Sequence, residues 1–460
     1  MSALSFLQFL PRPSHATALR AWVVVSFLVL TLPSVAQAAD QDYAMQFDGS
    51  SQWAVGLDHS DFDLSETLTF EAWLKPESAS GCFILRRQVY EMCLNSSGYW
   101  FGLDDNSSGW NWYPNSGVDA RLGEWQHFAF VKSGSNVTFL LDGQEVWTAT
   151  NAPATLGNSS NPFALGTQNE SSGSGLYSGL IDEVRVWNTA RSAEEVRADM
   201  HTYGPIDATG LVAYYDFNEG PAGTTGTGTV YNRVSGASSS THLRTVGSPT
   251  YTDVKQVSSN GYNTVVTFPR SYLTAAGGWR VPEGVSTVDA LVIAGGGGGG
   301  SGSPADDDTG WMGGGGGAGG LLQLDSTTLT ASAIVPVVVG QGGLGMVPSP
   351  SGAATVPAHN GQDSQLGATL ATGGGRGGAL DAQSGANGGS GGGGVYSNGI
   401  GGAGVAGPPR QGYDGGSYVW AFLGYAGAGG GGSGGPGGDT SASNGGVAGP
   451  GTSSAITGSF

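Results

Sequence analysis

Residues 178–188 read SGLIDEVRVWN, and this stretch decides the fold of the first half of the chain. Its side chains alternate, which predicts a strand with Val184 and Val186 on one face and charged or aromatic residues on the other. A helix is predicted over residues 192–200, because its first residue can cap it and Glu195 can complete a capping box. The stretch therefore predicts a strand that runs directly into a short helix.

The N-terminus has the pattern of a secretory signal peptide. Arg12 and Arg20 precede an apolar run over residues 21–32, and Ala36-Gln37-Ala38 provides an A-x-A cleavage site. This run is short for a membrane span, so cleavage after Ala38 is expected to release residues 39–460. The mature protein is expected to be secreted or held at the cell surface, with no transmembrane segment after signal cleavage.

The charge balance argues against nucleic acid as a partner. The chain has 17 Lys and Arg residues against 36 Asp and Glu, a formal net charge of −19. Phosphate binding requires clustered basic side chains, and here they are scattered. The acidity is typical of a protein that stays soluble outside the cell.

The two cysteines, Cys82 and Cys93, flank a turn over residues 86–89. Folding this segment as a hairpin places the two cysteines opposite each other. In an exported protein we expect a disulfide, which at this loop length contributes about 3 kcal/mol. Two buried thiols are the alternative.

Residues 42–254 have the composition of an all-β domain, with short aromatic-rich strands between Gly, Asn, Ser and Asp. Residues 68–73 (LTFEAW) alternate with period two, as a half-buried strand does. Residues 137–147 read as a hairpin around the turn Asp142-Gly143. The local patterns agree on one fold class.

Six motifs in order resemble the LamG-like jelly roll of the concanavalin A-like superfamily. They are FDG (47–49), FEAWLKP (70–76), EWQHFA (124–129), LDG (141–143), IDEVRVWNTARS (181–192) and GLVAYYDF (210–217). The resemblance implies an antiparallel β-sandwich over residues 39–254. Such a fold, when secreted, is usually a recognition module, although a fold alone does not establish a function.

Residues 255–460 change character and hold most of the 84 glycines. Strands are predicted over 265–268, 279–282 and 288–294, before the glycine run 295–300. The runs GGGGGAGGLL, VVVGQGG and AGGGGSGG are similar to the glycine-rich domain of bacterial surface proteins and phage tail adhesins. That resemblance implies short strands and polyglycine II helices, with disorder as the alternative. Related sequences continue past the equivalent of residue 460, so we expect this chain to be a piece of a longer one.

A cluster of aromatic residues is the candidate ligand site. Residues 99–101 (YWF) and 110–113 (WNWY) concentrate aromatic side chains in a stretch otherwise rich in Ser, Asn and Gly. The candidate ligand residues among them are Trp110, Trp112 and Tyr113. Trp110 and Trp112 are two residues apart and would face the same way on an extended strand. Exposed aromatic rings beside amides and carboxylates suit carbohydrate binding, whereas packing against a loop is the alternative.

A structural Ca²⁺ is the candidate cofactor. Asp182 shares a predicted strand face with Val184, so an inward carboxylate there would need donors or a metal. Asp48 and Asp216 lie near the first and last strands, which are expected to pair. Carboxylates with backbone carbonyls suit a hard cation. Roles in turns and hydrogen bonds are the alternative.

Patterns of catalytic residues are missing from the sequence. It has no E-x-D-x-E array of paired carboxylates and no H-E-x-x-H. Asp182 and Glu183 are adjacent and are expected to point to opposite faces of their strand. His127 is expected to pack in the core. The sequence predicts a protein that is not an enzyme.

The sequence as a whole predicts a secreted, non-catalytic binding or adhesion protein. Its sandwich is expected to recognise a glycan or a cell-surface protein. A structural spacer of a surface assembly, without a specific ligand, is the alternative. A glycoside hydrolase that pairs carboxylates from different strands is a third hypothesis. Exposed Trp110 and Trp112 would favour the ligand site, and buried ones the spacer. The oligomeric state stays open.

Overall fold

The computed structural model describes residues 41–107, 112–225, 228–259, 264–300, 313–346, 358–379, 382–396, 399–419, 426–441 and 444–454. The predicted signal peptide (1–38) and Trp110 lie outside these residues. In the described part of the chain, no helix is long and apolar enough to cross a membrane.

Fifteen strands and one α-helix form the described part of residues 41–254. The strands are β1 (Tyr43–Asp48), β2 (Trp53–Val55), β3 (Thr67–Pro76), β4 (Gly81–Arg86), β5 (Tyr90–Asn95), β6 (Gly98–Leu103), β7 (Gln126–Ser133), β8 (Asn136–Leu141), β9 (Gln144–Ala149), β10 (Phe163–Leu165), β11 (Ser178–Trp187), β12 (Leu211–Tyr215), β13 (Thr229–Val230), β14 (Leu243–Val246) and β15 (Thr250–Asp253). The helix is α1 (Ala193–Asp199), and two 3₁₀ turns cover Ser60–Phe62 and Ser239–Thr241.

Two antiparallel sheets face each other and confirm the predicted sandwich. The larger has the order β15-β1-β11-β3-β7-β8-β9, with β12 also paired to β11, and the smaller has the order β13-β14-β2-β10-β4-β5-β6. Their inner faces interdigitate, as the edge-to-face rings of Phe83 and Phe128 show at 4.9 Å between centroids. Buried aromatic and aliphatic residues fill the space between the sheets.

The local predictions around the hairpins and the helix are confirmed. Asp142 and Gly143 connect β8 to β9 with φ angles of +53° and +72°, the left-handed conformation that a two-residue hairpin turn requires. Ser192 and Glu195 form the capping box of α1. Cys82 lies opposite Cys93 in the β4–β5 pair, and the two are joined by a disulfide.

A β-bulge in β11 corrects two expectations about Asp182. The register with β3 shifts between Asp182 and Arg185, and Glu183 has a φ angle of +51°. The extra residue interrupts the alternation, so Ile181 and Val184 both point into the core. Asp182 therefore does not share the inner face with Val184. Asp182 and Glu183 both lie on the outer face of the sheet, whereas the sequence predicted that they would lie on opposite faces.

The first and last strands of the sandwich, β1 and β15, pair as predicted, but Asp216 follows β12 and not the last strand. β1 pairs with β11 and with β15, whereas β12 pairs with β11. The bulge separates the part of β11 that pairs with β1 from the part that pairs with β12. Asp48 and Asp216 therefore do not face each other across neighbouring strands.

Nine shorter strands follow in the described residues of the glycine-rich part. They are β16 (Gln256–Ser259), β17 (Thr264–Thr267), β18 (Trp279–Arg280), β19 (Thr287–Ile293), β20 (Leu321–Thr328), β21 (Ile334–Val335), β22 (Val337–Val338), β23 (Ser364–Leu366) and β24 (Thr369–Ala371). They form three two-stranded sheets and one three-stranded sheet.

The glycine runs pack as polyglycine II helices, as predicted. Backbone donors three residues apart bond to one neighbouring segment: Gly297 and Gly300 donate to Gly317 and Gly314, which in turn donate to Gly375 and Gly378. A repeat of three residues without local hydrogen bonds is the geometry of this helix. The φ angles of residues 295–300 all lie outside the left-handed range.

The close packing of this array explains its composition. A Cβ on Gly297 would lie 2.2 Å from the Gly375 carbonyl oxygen, and one on Gly298 would lie 1.9 Å from that of Leu344. A Cβ on Gly296 would meet its nearest atom only at 3.6 Å. Two of every three positions in this segment therefore exclude any side chain.

The outer face of the larger sheet is covered by the start of the glycine-rich part. Trp73 and Trp125 from the sandwich share a core with Tyr272, Trp279 and Val281. Arg270 is fully buried there. Its guanidinium pairs with Asp182 and, at 3.2 Å, with Asp42, and it lies over the Trp125 ring at 4.8 Å. One buried cation thus links the two parts of the chain.

Replacing Arg270 is expected to be costly. Arg270→Gln leaves Asp42 and Asp182 buried without a cation, so we expect a loss of about 3–5 kcal/mol in the free energy of unfolding. Urea unfolding followed by tryptophan fluorescence will measure it, since Trp73 and Trp125 lie beside the site. The control is Arg280→Gln, on the exposed side of β18. Equal stability of the two variants would contradict this account.

Two neighbouring glycines provide a matched test of the array. Gly297→Ala places a methyl group on a backbone carbonyl and is expected to destabilise the array by about 1–3 kcal/mol. Gly296→Ala has room and restricts the unfolded chain, so its effect is expected to be neutral or slightly stabilising. Hydrogen exchange of residues 295–300 will report the difference. Fast exchange in both variants would argue against the packed array.

Candidate functional site

The predicted aromatic cluster is divided by the structure. Trp112 is 7% exposed and belongs to the core, where its ring lies 5.9 Å from that of Trp147. Its indole nitrogen donates to the Asn151 side chain at 3.5 Å. Tyr113 is 46% exposed. Trp112 is therefore not available for stacking on a ligand, whereas nearly half of the Tyr113 side chain is exposed to solvent.

Strand alternation explains this division. The segment after residue 111 runs alongside β6, with Leu103 opposite Trp112 and Trp100 opposite Asn115. Leu103 points into the core, so its partner Trp112 does too. The next residue, Tyr113, must then face outward.

The outward face of this segment forms an aromatic pair. Trp100 on β6 is partly exposed, and its ring lies 5.8 Å from that of Tyr113 at an interplanar angle of 45°. Tyr99 and Phe101, on either side of Trp100, point into the core. The pair is thus held on a sheet whose inner face is tightly packed.

Glu91 lies in the row of residues next to this pair. It is 3% exposed and lies opposite Gly102, where a Cβ would come within 2.6 Å of the Glu91 side chain. One carboxylate oxygen accepts a hydrogen bond from the Gln168 side chain at 3.0 Å and lies 3.7 Å from each sulfur of the Cys82–Cys93 disulfide. Burial raises the pKa of Glu91 to about 7, although the Gln168 bond lowers it in part.

An ion pair forms the rim of the same face. The Arg87 guanidinium donates to both carboxylate oxygens of Glu170, at 3.1 and 3.2 Å, and to the Asn161 side chain at 2.7 Å. Gln168 and Glu170 lie on the loop that folds back over the sheet. We call Glu91, Trp100, Gly102, Tyr113 and Gln168 the disulfide face.

The candidate calcium ligands are not brought together. Asp48 caps a turn by accepting from the backbone of Ser50 and Ser51, at 2.8 Å each. Asp182 pairs with Arg270. Asp216 accepts from Arg233 at 2.8 Å and from the Tyr203 hydroxyl at 2.7 Å. Carboxylates held by separate cations and hydroxyls do not fit a shared Ca²⁺ site.

Among the described residues, one cluster brings three potential metal-ligating side chains together. Cys82, Glu91 and Cys93 have ligand atoms within 4.8 Å of one another. The two sulfurs form a disulfide, so no thiolate is available to a metal. The cluster is therefore part of the disulfide face rather than a metal site.

His127 is confirmed as a core residue. It is 1% exposed, and burial lowers its pKa well below the ordinary value. Its ring lies 3.7 Å from Glu71 and packs edge-on against Trp73. A side chain so enclosed has no route to a substrate.

Comparison with known families follows the two parts of the chain. Residues 47–197 match the concanavalin A-like lectin/glucanases superfamily. Residues 271–459 match the glycine-rich domain family. Both matches and their order agree with the resemblances seen in the motifs.

Solved structures of similar fold cover about a third to a half of this chain. A Bacteroides ovatus protein described as a candidate carbohydrate-binding protein has 14% identity and a TM-score of 0.35, over 51% of this chain and 62% of its own. The SAP-like pentraxin of Limulus polyphemus has 20% identity and a TM-score of 0.28, over 34% of this chain and 81% of its own. The CBM40 of the Ruminococcus gnavus IT-sialidase, bound to α2,3 sialyllactose, has 14% identity and a TM-score of 0.28, over 34% of this chain and 96% of its own.

None of these similarities reaches a TM-score of 0.5, so none supports an inference about a ligand of this chain. A comparison with curated protein sequences finds no match.

Sequence reasoning missed Glu91 as a site residue, and it counted Trp100 in the aromatic cluster without choosing it as a ligand residue. The signal for Trp100 was present, because a single tryptophan between Tyr99 and Phe101 must face away from them on a strand. Glu91 occupies the equivalent position between Tyr90 and Met92. The loop that brings Gln168 to Glu91 has no such signal, since the contact spans 77 residues.

The raised pKa of Glu91 predicts a pH-dependent cost to folding. Between its ordinary pKa of 4.5 and about 7, the unfolded chain is ionised at Glu91 while the folded protein keeps the proton. The contribution of Glu91 to stability therefore falls as the pH rises through this window and stays low above it.

Glu91→Gln is expected to remove this cost, because the amide still offers an oxygen to Gln168. The variant should match the parent at pH 4 and be more stable at pH 8, by about 3 kcal/mol at most. Thermal unfolding from pH 4 to 8 will measure it, with exposed Glu145→Gln as control. A stability difference that does not change with pH would contradict the assignment.

Proposed function

We propose that the chain is a secreted, non-catalytic binding or adhesion protein whose sandwich recognises a glycan at the disulfide face. The carrying observation is an aromatic pair, the partly exposed Trp100 and the exposed Tyr113, next to the side chains of Glu91 and Gln168. Sugar rings stack their C–H faces on aromatic rings, and their hydroxyls bond to carboxylates and amides. The match of residues 47–197 to a superfamily named for lectins and glucanases supports this choice.

The rigidity of the face also supports binding. Trp100 is anchored between core residues of β6, and the disulfide joins β4 to β5 at 3.7 Å from the Glu91 carboxylate. A site whose rings are held before the ligand arrives loses little entropy on binding. The net charge and the signal pattern fit a protein that acts outside the cell.

A binding role is preferred to catalysis because the carboxylates at the face have different partners. Glycoside hydrolysis needs two carboxyl groups that act on one bond. Glu170 is held by the two bonds from Arg87, whereas Glu91 accepts from the neutral Gln168 amide. The glycine-rich part is then proposed to serve as a stiff scaffold that presents the sandwich.

Binding of residues 39–460 to a polysaccharide and glycan array will test this proposal. Trp100→Ala and Tyr113→Ala are each expected to weaken binding about two- to tenfold, since stacking on one ring contributes about 0.5–1.5 kcal/mol. Tyr231→Ala is the matched control, because Tyr231 is also 46% exposed and lies on another strand connection.

Repeating the array in EDTA separates plain stacking from a calcium-supported site. Loss of binding in EDTA would place calcium at residues other than Asp48, Asp182 and Asp216. A blank array in both buffers would overturn the glycan proposal and favour a structural spacer. Equal losses in the Tyr231→Ala control would show that the effect is not specific to the disulfide face.

A further inference from the structure

His201 lies where the sandwich meets the glycine-rich part. It follows the end of α1 by two residues, and its ring lies 6.0 Å from that of Trp73. Both ring nitrogens bond to the glycine-rich part. Nε2 lies 2.9 Å from the Gln362 side-chain oxygen, and Nδ1 lies 2.9 Å from the Ser271 hydroxyl. One imidazole of the sandwich thus contacts two separate segments of the part that covers it.

Gln362 determines the state of the ring at Nε2. Its amide nitrogen donates to the Asp142 carbonyl at 2.9 Å, and its amide oxygen accepts from the Gln341 backbone at 3.2 Å. These two partners orient the amide, so the atom that faces His201 is an oxygen and can only accept. Nε2 therefore carries a hydrogen and donates it.

Ser271 determines the state of the ring at Nδ1. Its hydroxyl oxygen already accepts a hydrogen bond from the Val339 backbone at 3.0 Å. The hydroxyl hydrogen is donated to Nδ1, which accepts in a neutral imidazole. A proton on Nδ1 would force this hydroxyl to turn its hydrogen away and accept two bonds. The chain of bonds from Asp142 to Val339 is therefore matched to a neutral His201.

The surroundings of His201 also disfavour a positive charge. Burial lowers its pKa below the ordinary value of 6.5, the bond to Gln362 raises it in part, and the Arg270 guanidinium lowers it. His127, on β7, is a second titratable group that acts on it. Within the described part of the chain, no carboxylate forms an ion pair with its ring.

The acidic groups on this side of the larger sheet already have cationic partners. Each is bound to an arginine: Glu71 and Asp199 to Arg191, Glu183 to Arg185, and Asp42 and Asp182 to Arg270. A proton on the imidazole would therefore add a buried charge without a counter-ion, which is costly.

We propose that His201 is an acid-sensitive switch, whose protonation releases the glycine segments 339–346 and 358–363 from the β8–β9 hairpin. The contacts that are lost are those of Gln362 with Asp142 and of Leu344 with Gln144. The ion pairs of Arg270 remain, so the two parts stay connected. This inference goes beyond ligand binding, because it makes the presentation of the sandwich depend on pH.

The direction of the pH effect separates His201 from the buried carboxylates. The released state takes up the proton more readily than the docked state, so the join weakens as the pH falls below about 6.5. Asp42 and Asp182 have raised pKa values and act in the opposite direction. His127 has the same sign as His201, but it lies within the larger sheet, so its protonation would loosen the sandwich itself.

Hydrogen exchange of residues 39–460 between pH 7 and 4.5, corrected for the intrinsic exchange rate, will test the switch. We expect the protection of residues 339–346 and 358–363 to fall by up to about tenfold for each pH unit below 6.5, the limit for one proton. Strands of the smaller sheet should keep their protection. In His201→Gln, which cannot take up the proton, the protection of both segments should stay constant.

His359→Gln is the matched control. His359 lies in one of the two segments, and burial lowers its pKa too, yet it makes no bond to Gln362 or Ser271. The pH dependence should therefore remain in this variant. His201→Asn, which keeps a polar group near the position of Nδ1, replaces His201→Gln if that variant is unfolded at pH 7.

Three results would overturn the inference. The first is protection of both segments that stays constant down to pH 4.5 in the parent protein. The second is an equal loss in the parent and in the His201 variant, or a loss that disappears in His359→Gln, since another group would then titrate. The third is a simultaneous loss in the smaller sheet, which would mean that acid unfolds the sandwich rather than releasing the array.

Discussion

The buried guanidinium of Arg270 is the interaction on which the arrangement of the two parts depends. It faces Asp42 and Asp182, two carboxylates from the sandwich, beneath the rings of Trp73 and Trp125. Burial raises the pKa of Asp42 to about 6 and that of Asp182 well above its ordinary value. Removing such a charge from water costs several kcal/mol, which only a well-placed partner offsets. The outer face of the larger sheet is therefore complete only when the glycine-rich part covers it.

The glycine array depends on a different constraint. Glycine loses more entropy on ordering than any other residue and has no side chain to bury. The array offsets this cost through hydrogen bonds between neighbouring segments and through backbone contacts that any Cβ would prevent. It is also fixed to the sandwich, since Leu344 donates to Gln144 and Gln362 donates to the Asp142 carbonyl. These bonds secure the array to the β8–β9 hairpin.

Period and turn chemistry were sufficient to predict single strands, turns and the helix cap, whereas the sandwich itself followed from the resemblance of the six motifs. The hairpin at Asp142-Gly143, the cap at Ser192 and the Cys82–Cys93 bridge all depend on residues close in sequence. The outward position of Asp182 could not be predicted in this way. One extra residue in β11 moves each residue before it to the opposite face of the sheet. The prediction that Trp112 is exposed to a ligand was wrong for a related reason. Its direction is set by pairing with Leu103, and not by spacing within its own segment.

The position of the disulfide face follows from these same layers. The glycine-rich part covers the outer face of the larger sheet, through Trp73 and Trp125. Glu91 and Trp100 lie on the outer face of the smaller sheet, on the other side of the sandwich core. The scaffold and the candidate site thus occupy opposite sides of the domain. The attachment through Trp73 and Trp125 therefore lies on the side of the sandwich away from the aromatic pair, as a presenting role for the array requires.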